Sequence, residues 1–227
     1  MSMTPYLTVP FKFTKEAFDW ITDFFDPIVK DFNVNAPRAS ALLNLSNENM
    51  GLLRESLPWT EVVNFASKCK LKNPYPQMFI YRSMGLRPVQ LGNPHIDTAG
   101  AGGIEKLVPV RFNILLDGFD NTEMVWWDIN RDDPRVVNFQ FQTPDRKFTG
   151  RLQADGKNLK EQWNTVGEPA FRANNLSKIQ ECASFVRTDI LHALNWTGVD
   201  PRLIFSIKFD VDSWDQIENL RQDGARF

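Results

Sequence analysis

From Pro76 onward the sequence breaks into short runs rich in Val, Ile, Phe and Trp, separated by Gly, Asp, Asn and Pro. The runs are Met78–Arg82, Val89–Leu91, Val108–Leu116, Glu123–Ile129, Val136–Thr143, Phe148–Leu152, Ala170–Ala173, Ser184–Leu191 and Leu203–Val211. Segments this short with turn residues between them predict a sandwich or a double-sheet jelly roll. Strand–helix alternation of the parallel α/β kind is absent, and no glycine-rich phosphate loop follows a strand. The stretch Thr98–Gly103 is glycine-rich but precedes a strand and carries no Lys-Ser/Thr, so it reads as a flexible loop.

The part before Pro76 is of another kind. Thr14 is placed to cap a helix through Ala17, Phe18, Ile21, Phe24 and Phe25, an apolar stripe at helical spacing. Pro27 is expected to kink or end that helix. Asn44 to Met50 reads as a polar turn, Trp59–Ala66 as a short helix, and Trp214–Leu220 as a closing helix. No repeat or linker divides the chain. The expected organisation is one domain over 1–227, with a helical and irregular part over 1–75 and a β core over 76–212.

Composition excludes several functions. A net charge of -2 gives no basis for general nucleic-acid binding, which needs a basic surface. Two cysteines, Cys69 and Cys182, are too few for a disulfide framework or a cysteine-based zinc site, and read as reduced core thiols. The N-terminal residues lack a signal-peptide pattern, and no apolar run approaches a membrane span. A cytoplasmic protein is expected, and the Asn-x-Ser/Thr triplets at Asn44, Asn175 and Asn195 are read as chance matches.

Only two histidines occur, and each stands where a metal ligand is wanted. In His95-Ile96-Asp97 on extended backbone, the first and third side chains share a face, so an imidazole and a carboxylate can meet at one ion. His192, at the end of the run Ser184–Leu191, would come from a neighbouring strand. Two histidines and one carboxylate make the facial arrangement of non-haem Fe(II) oxygenases, with positions left open for other ligands. Arg202 follows His192 by ten positions on an otherwise apolar strand, where a guanidinium needs an anionic partner. A dicarboxylate co-substrate would supply it through paired hydrogen bonds, and Ser206, on the same face, could donate another.

His95-x-Asp97, then His192, then Arg202 resembles the Fe(II)/2-oxoglutarate-dependent dioxygenase superfamily in order and spacing, over about Tyr81 to Asp210. Many members place the serine two residues after the arginine; here Ser206 follows four later. The resemblance implies a double-stranded β-helix, a jelly roll of two antiparallel sheets with flanking N-terminal helices. It implies Fe(II) held by His95, Asp97 and His192, 2-oxoglutarate as co-substrate with its far carboxylate on Arg202, and molecular oxygen as oxidant. The implied reaction is hydroxylation of an amino acid, a peptide side chain or a small metabolite, with succinate and carbon dioxide as co-products.

Further candidates are less specific. If the Arg111 face of its strand points inward, Asn113 would touch 2-oxoglutarate and Arg111 would meet the co-substrate or an acidic substrate; otherwise Arg111 pairs with a surface carboxylate. Tyr81 could hydrogen-bond the co-substrate. Trp126 and Trp127 must face opposite ways and are assigned to packing. Asp189 is a candidate to orient a neighbouring group, and Arg131–Arg135 reads as a solvated turn. Two other functions share this pattern: a cupin-like metalloenzyme that does not use 2-oxoglutarate, and a non-catalytic jelly-roll binding protein.

Overall fold

Alternating side chains along the strand runs sort the described residues into two six-stranded antiparallel sheets and one two-stranded pair in a computed structural model. The residues described are 4–35, 40–43, 45–81, 91–99, 106–118, 122–142, 148–196 and 202–222. The elements up to the second sheet's first strand are β1 (Tyr6–Val9), α1 (Lys15–Asn35), β2 (Ser40–Leu43), α2 (Asn47–Arg54), α3 (Leu57–Lys68), β3 (Tyr75–Tyr81) and β4 (His95–Ile96). Then come β5 (Thr98–Ala99), β6 (Lys106–Leu107), β7 (Val110–Asp117), β8 (Thr122–Trp126), β9 (Val136–Gln142) and β10 (Phe148–Ala154). The chain continues with α4 (Leu159–Val166), β11 (Phe171–Asn174), β12 (Ala183–Arg187), β13 (His192–Trp196), β14 (Arg202–Lys208) and α5 (Asp215–Gln222).

The first sheet has the order β1-β12-β7-β14-β3-β2 and the second β11-β8-β13-β4-β10-β9. In the first, Met78, Ile80, Phe112, Ile114, Phe185, Leu203, Phe205 and Ile207 pack with Ala17, Ile21 and Phe25 of α1 and Trp59, Val62 and Phe65 of α3. The Phe112 ring sits 4.7 Å from Phe185 and 5.0 Å from Phe65, centroid to centroid. β14 is consequently buried on both faces, its other set being Arg202, Ile204 and Ser206. A strand covered on both sides reads as a continuous apolar run, and that is why polar residues on its inner face stand out. In the second sheet Ile96, Val125, Trp127, Leu152, Ala154, Leu191 and Ala193 pack with Val166 on the outside.

Several elements differ from expectation. α1 passes through Pro27 to Asn35, capped by Thr14, whose hydroxyl accepts from the Ala17 amide at 3.3 Å. The turn expected over Asn44–Met50 is in part a helix: Ser46 caps α2 by accepting from the Asn49 amide at 3.1 Å. The run Ser184–Leu191 is not one strand ending at His192: β12 stops at Arg187 in the first sheet, residues 188–191 cross over, and His192 opens β13 in the second. Arg187 donates to Asp189 at 2.7 Å in the crossing between them. The neighbouring group that Asp189 holds is thus Arg187 in that turn. β1 and β2 had not been expected. The expected strand Val89–Leu91 and the residues Asn44 and Gly100–Gly103 fall wholly or partly outside the described residues. Cys69 and Cys182 are free thiols, and no described helix is long and apolar enough to cross a membrane.

Two glycines give opposite expectations. A Cβ on Gly92 would stand 2.3 Å from the Leu194 carbonyl oxygen, in backbone that cannot yield cheaply, whereas one on Gly51 inside α2 would meet nothing within 4 Å. Gly92→Ala should cost about 1–3 kcal/mol by overpacking, and Gly51→Ala should gain about 0.5–1 kcal/mol from helix propensity. Thermal denaturation of the two variants checks both signs.

Candidate active site

β4 carries two described residues, and its neighbours place them. It lies between β13 and β10, with His95 opposite both His192 and Gln153. The segment before it is latched to β13: the Gly92 amide donates to Asn195 Oδ1 at 3.2 Å, and Trp163 Nε1 donates to the Gly92 carbonyl at 3.1 Å. After β4 the Asp97 amide donates to the Thr188 carbonyl at 2.9 Å, and the Asp97 carbonyl accepts from the Val108 amide at 3.0 Å. Backbone hydrogen bonds on both sides thus fix the Asp97 position.

The His95 and His192 rings lie 4.5 Å apart, and His95 Nε2 is 3.5 Å from an Asp97 carboxylate oxygen. One ligand atom from each of His95, Asp97 and His192 lies within 4.8 Å of the others. Both imidazoles use Nδ1 on a backbone carbonyl two residues earlier, His95 on Asn93 at 2.7 Å and His192 on Ile190 at 3.0 Å. With Nδ1 donating, Nε2 carries the lone pair, the tautomer a metal-binding histidine needs. Burial pushes His192 down to about 3, helped by His95. It lowers His95 too, with the Arg151 charge adding to it. Burial alone would raise the Asp97 carboxyl, but Arg111 and the two histidines together hold it well below the usual carboxylate range. Two neutral imidazoles and one carboxylate facing one point are a donor set suited to a divalent transition metal.

Arg111 is buried on β7 and resolves the alternatives left by its strand. Its Nε donates to Asp97 Oδ2, its Nη1 donates to Gln77, and its guanidinium lies 5.1 Å from the Phe79 ring centroid. Its carboxylate partner is therefore neither on the surface nor on a ligand; it is the carboxylate of the triad. Asp97 consequently turns one oxygen to Arg111 and the other toward His95.

A cleft open to solvent lies between the sheets and is lined by Tyr81, His95, Asp97, Arg111, Asn113, His192 and Arg202 among others. Arg202, with only 4% of its surface exposed, pairs across strands with Tyr81. Burial raises the Tyr81 hydroxyl, with the Arg202 charge opposing, so that phenol is a neutral donor. Ser206, beyond Ile204 on that face, is fully buried and donates to Asn113 Oδ1 at 2.7 Å. Asn113 lines the cleft; Ser206 does not. Met124, Val186, Leu194 and Ile204 give the cleft apolar walls. Trp126 and Trp127 do face opposite ways, Trp126 donating to the Arg187 carbonyl at 2.9 Å and Trp127 to the Gly167 carbonyl at 2.8 Å.

Two polar neighbours of the site had gone unnoticed in the sequence. Gln77 has no signal there, because a lone glutamine on a strand is unremarkable. Arg151 has one: it stands on a strand run beside Leu152, the same anomaly that marked Arg202.

No protein-family profile and no curated protein sequence matches the chain. Solved structures do. EvdO2 from Micromonospora carbonacea var. aurantiaca is 10% identical, with a TM-score of 0.54 over 94% of this chain and 91% of that one. The epimerase SnoN in complex with Fe3+, alpha ketoglutarate and nogalamycin RO is 12% identical, with a TM-score of 0.48 over 90% and 78%. HygX from Streptomyces hygroscopicus, with nickel and 2-oxoglutarate bound, is 10% identical, with a TM-score of 0.45 over 91% and 82%. At such identities a likeness concerns the fold, and the match to EvdO2 carries it.

The buried charges make two measurable demands on the metal-free protein. Removing one partner of a buried pair strands the other charge, so Arg111→Met should cost about 3–5 kcal/mol. Arg111→Met with Asp97→Leu should cost much less, and a denaturant double-mutant cycle measures the difference. The second demand concerns pH. Above about pH 6.5 a histidine is neutral in both folded and unfolded chains. Below it the unfolded chain takes up protons that buried His192 refuses until about pH 3. Stability should therefore fall with pH across that window, by about 1.4 kcal/mol per unit for that residue, and His192→Asn should flatten the slope. Asp97, depressed in the folded state, adds its loss only below about pH 4.

Proposed function

We propose that the chain is an Fe(II)- and 2-oxoglutarate-dependent oxygenase that hydroxylates an amino acid, a peptide side chain or a small metabolite. The observation that carries this is a single cleft holding both the His95–Asp97–His192 cluster and the buried guanidinium of Arg202. A metal site alone would suit many proteins. A metal site sharing a cleft with a buried arginine suits a metal whose co-substrate has a carboxylate at each end. The two sheets, with α1 and α3 against one and α4 against the other, support a double-stranded β-helix built as one domain. The free thiols suit a cytoplasmic setting.

In this proposal His95 Nε2, His192 Nε2 and the Asp97 oxygen turned away from Arg111 would hold the ferrous ion. Arg111, itself held by Gln77, keeps Asp97 from rotating, so the carboxylate turns one oxygen toward the histidines. Arg202 pairs with the distal carboxylate of 2-oxoglutarate, and the Tyr81 hydroxyl is placed to donate to it. Asn113, held by Ser206, presents its amide to the cleft. The apolar walls exclude water from the substrate's reacting carbon. When bound, the ion and 2-oxoglutarate would supply, with molecular oxygen, the oxidation of a C–H bond, yielding succinate and carbon dioxide.

Anaerobic calorimetry separates the parts. Wild-type protein should bind Fe(II) or Mn(II) and then 2-oxoglutarate. His95→Ala and His192→Ala should lose metal binding and turnover, while Arg202→Ala should keep the metal and weaken 2-oxoglutarate by about 2–5 kcal/mol. Metal binding without 2-oxoglutarate binding would favour a cupin-like enzyme, and binding of neither a non-catalytic protein.

A further inference from the structure

Arg151 has no task in the chemistry proposed above. On β10, Leu152 and Ala154 belong to the outer cluster with Ile96 and Val125, so by alternation Arg151 and Gln153 face between the sheets. Gln153 lies opposite His95 and Leu152 opposite Ile96. The next position along that register sets Arg151 level with Asp97. Its charge acts on His95, Asp97 and Tyr81, three residues that line the cleft from β4 and β3 and the turn after β4. The guanidinium therefore stands beside the cleft, close to the metal end.

What it stands beside does not satisfy it. Among the described residues nothing hydrogen-bonds or ion-pairs with Arg151. The Asp97 carboxylate is taken up with Arg111 and His95. Arg151 is half-buried, and its partial desolvation lowers its pKa against the opposition of Asp97 and Tyr81. A guanidinium partly withdrawn from water without a hydrogen-bonded counter-ion gains from an anion arriving. The charges within the cleft lead to the same place. A bound divalent metal with Arg111, Arg151 and Arg202 outweighs Asp97 and the two carboxylates of 2-oxoglutarate. The filled site would still be net positive, and a neutral substrate would leave it so.

We infer that the substrate is a small carboxylic acid whose carboxylate pairs with Arg151 beside the metal, so that Arg151 sets both substrate class and substrate orientation. The inference rests on the proposed oxygenase function and extends it. A single guanidinium fork matches one carboxylate through two parallel hydrogen bonds, and a fixed anionic end next to the metal restricts which carbon of the substrate faces it. The apolar residues Met124, Leu194 and Val186 then receive the rest of a small molecule.

The test uses full-length protein loaded with Zn(II) and 2-oxoglutarate, so that nothing turns over. It is titrated calorimetrically with a pool of aliphatic, aromatic and N-acylated amino-acid carboxylates and with the matching primary amides. At least one acid should bind tenfold or more tightly than its amide. Arg151→Gln should abolish that preference, Arg151→Lys should retain part of it, and both should leave Zn(II) and 2-oxoglutarate affinities within about twofold of wild type. The inference is overturned if no acid binds, if acids and amides bind alike, or if Arg151→Gln keeps the preference. It is equally overturned if Arg151→Gln loses 2-oxoglutarate, which would make Arg151 part of the co-substrate pocket. If wild-type protein takes up neither metal nor 2-oxoglutarate, the oxygenase proposal itself fails. The acid-over-amide comparison on metal-free protein then still decides whether Arg151 captures a carboxylate.

Discussion

The buried pair of Arg111 and Asp97 is the contact on which the site depends. Asp97 follows a two-residue strand, too short to hold a carboxylate by itself, and the carboxylate lies between sheets where an isolated charge would be prohibitive. Arg111 arrives from the opposite sheet and makes that burial tolerable, while Gln77 and the Phe79 ring hold the guanidinium. The pair thus joins β7 of one sheet to the end of β4 in the other. It also leaves the oxygen nearer His95 free of Arg111, which makes the carboxylate directional.

The rest of the fold keeps that contact in a confined space. Phe112, Phe185 and Phe205 are spent on the outer face of the first sheet against α1 and α3, so the inner face is released from forming the main core. That is why Arg111, Asn113, Arg202 and Ser206 can be interior. Each inner polar group is close to another: Ser206 donates to Asn113, Arg111 to Asp97, and each histidine to a carbonyl two residues before it. Fixing these groups before any ligand arrives removes ordering costs that would otherwise weaken binding.

How much of this the sequence disclosed follows from which signals are local. His95 and Asp97 on one face is a consequence of period-two alternation, and Arg202 on an apolar strand is an anomaly visible without a structure. Tyr81, Asn113 and Arg202 do line one cleft with the histidines, whereas Ser206 lies beyond it and acts on Asn113. The role of Arg111 was not legible, because its partner Asp97 is decided by how two sheets face each other. The break between β12 and β13 did leave a mark, the polar stretch Arg187-Thr188-Asp189, but three polar residues between apolar ones read equally well as part of one continuous strand. β1 and β2 were missed because strands of four residues at a sheet edge carry too little pattern. Pro27 failed as a helix terminator because Ile28 and Val29, just beyond it, pack against the same core as Ala17, Ile21 and Phe25 and hold α1 past it.

Charge balance gives the last step. In the metal-free protein Arg111 neutralises Asp97, and the two histidines are uncharged, so the three-residue cluster exerts little net attraction on a cation. On the proposed function, a divalent ion would enter a site whose surroundings are already positive, and this opposes its binding. The carboxylates of 2-oxoglutarate offset that positive charge, since one end would face the ion and the other Arg202. Ion and co-substrate should then bind with positive coupling, each making the site electrostatically suitable for the other. Arg151 carries the same logic one stage further, since the charge it leaves uncompensated favours an anionic third component.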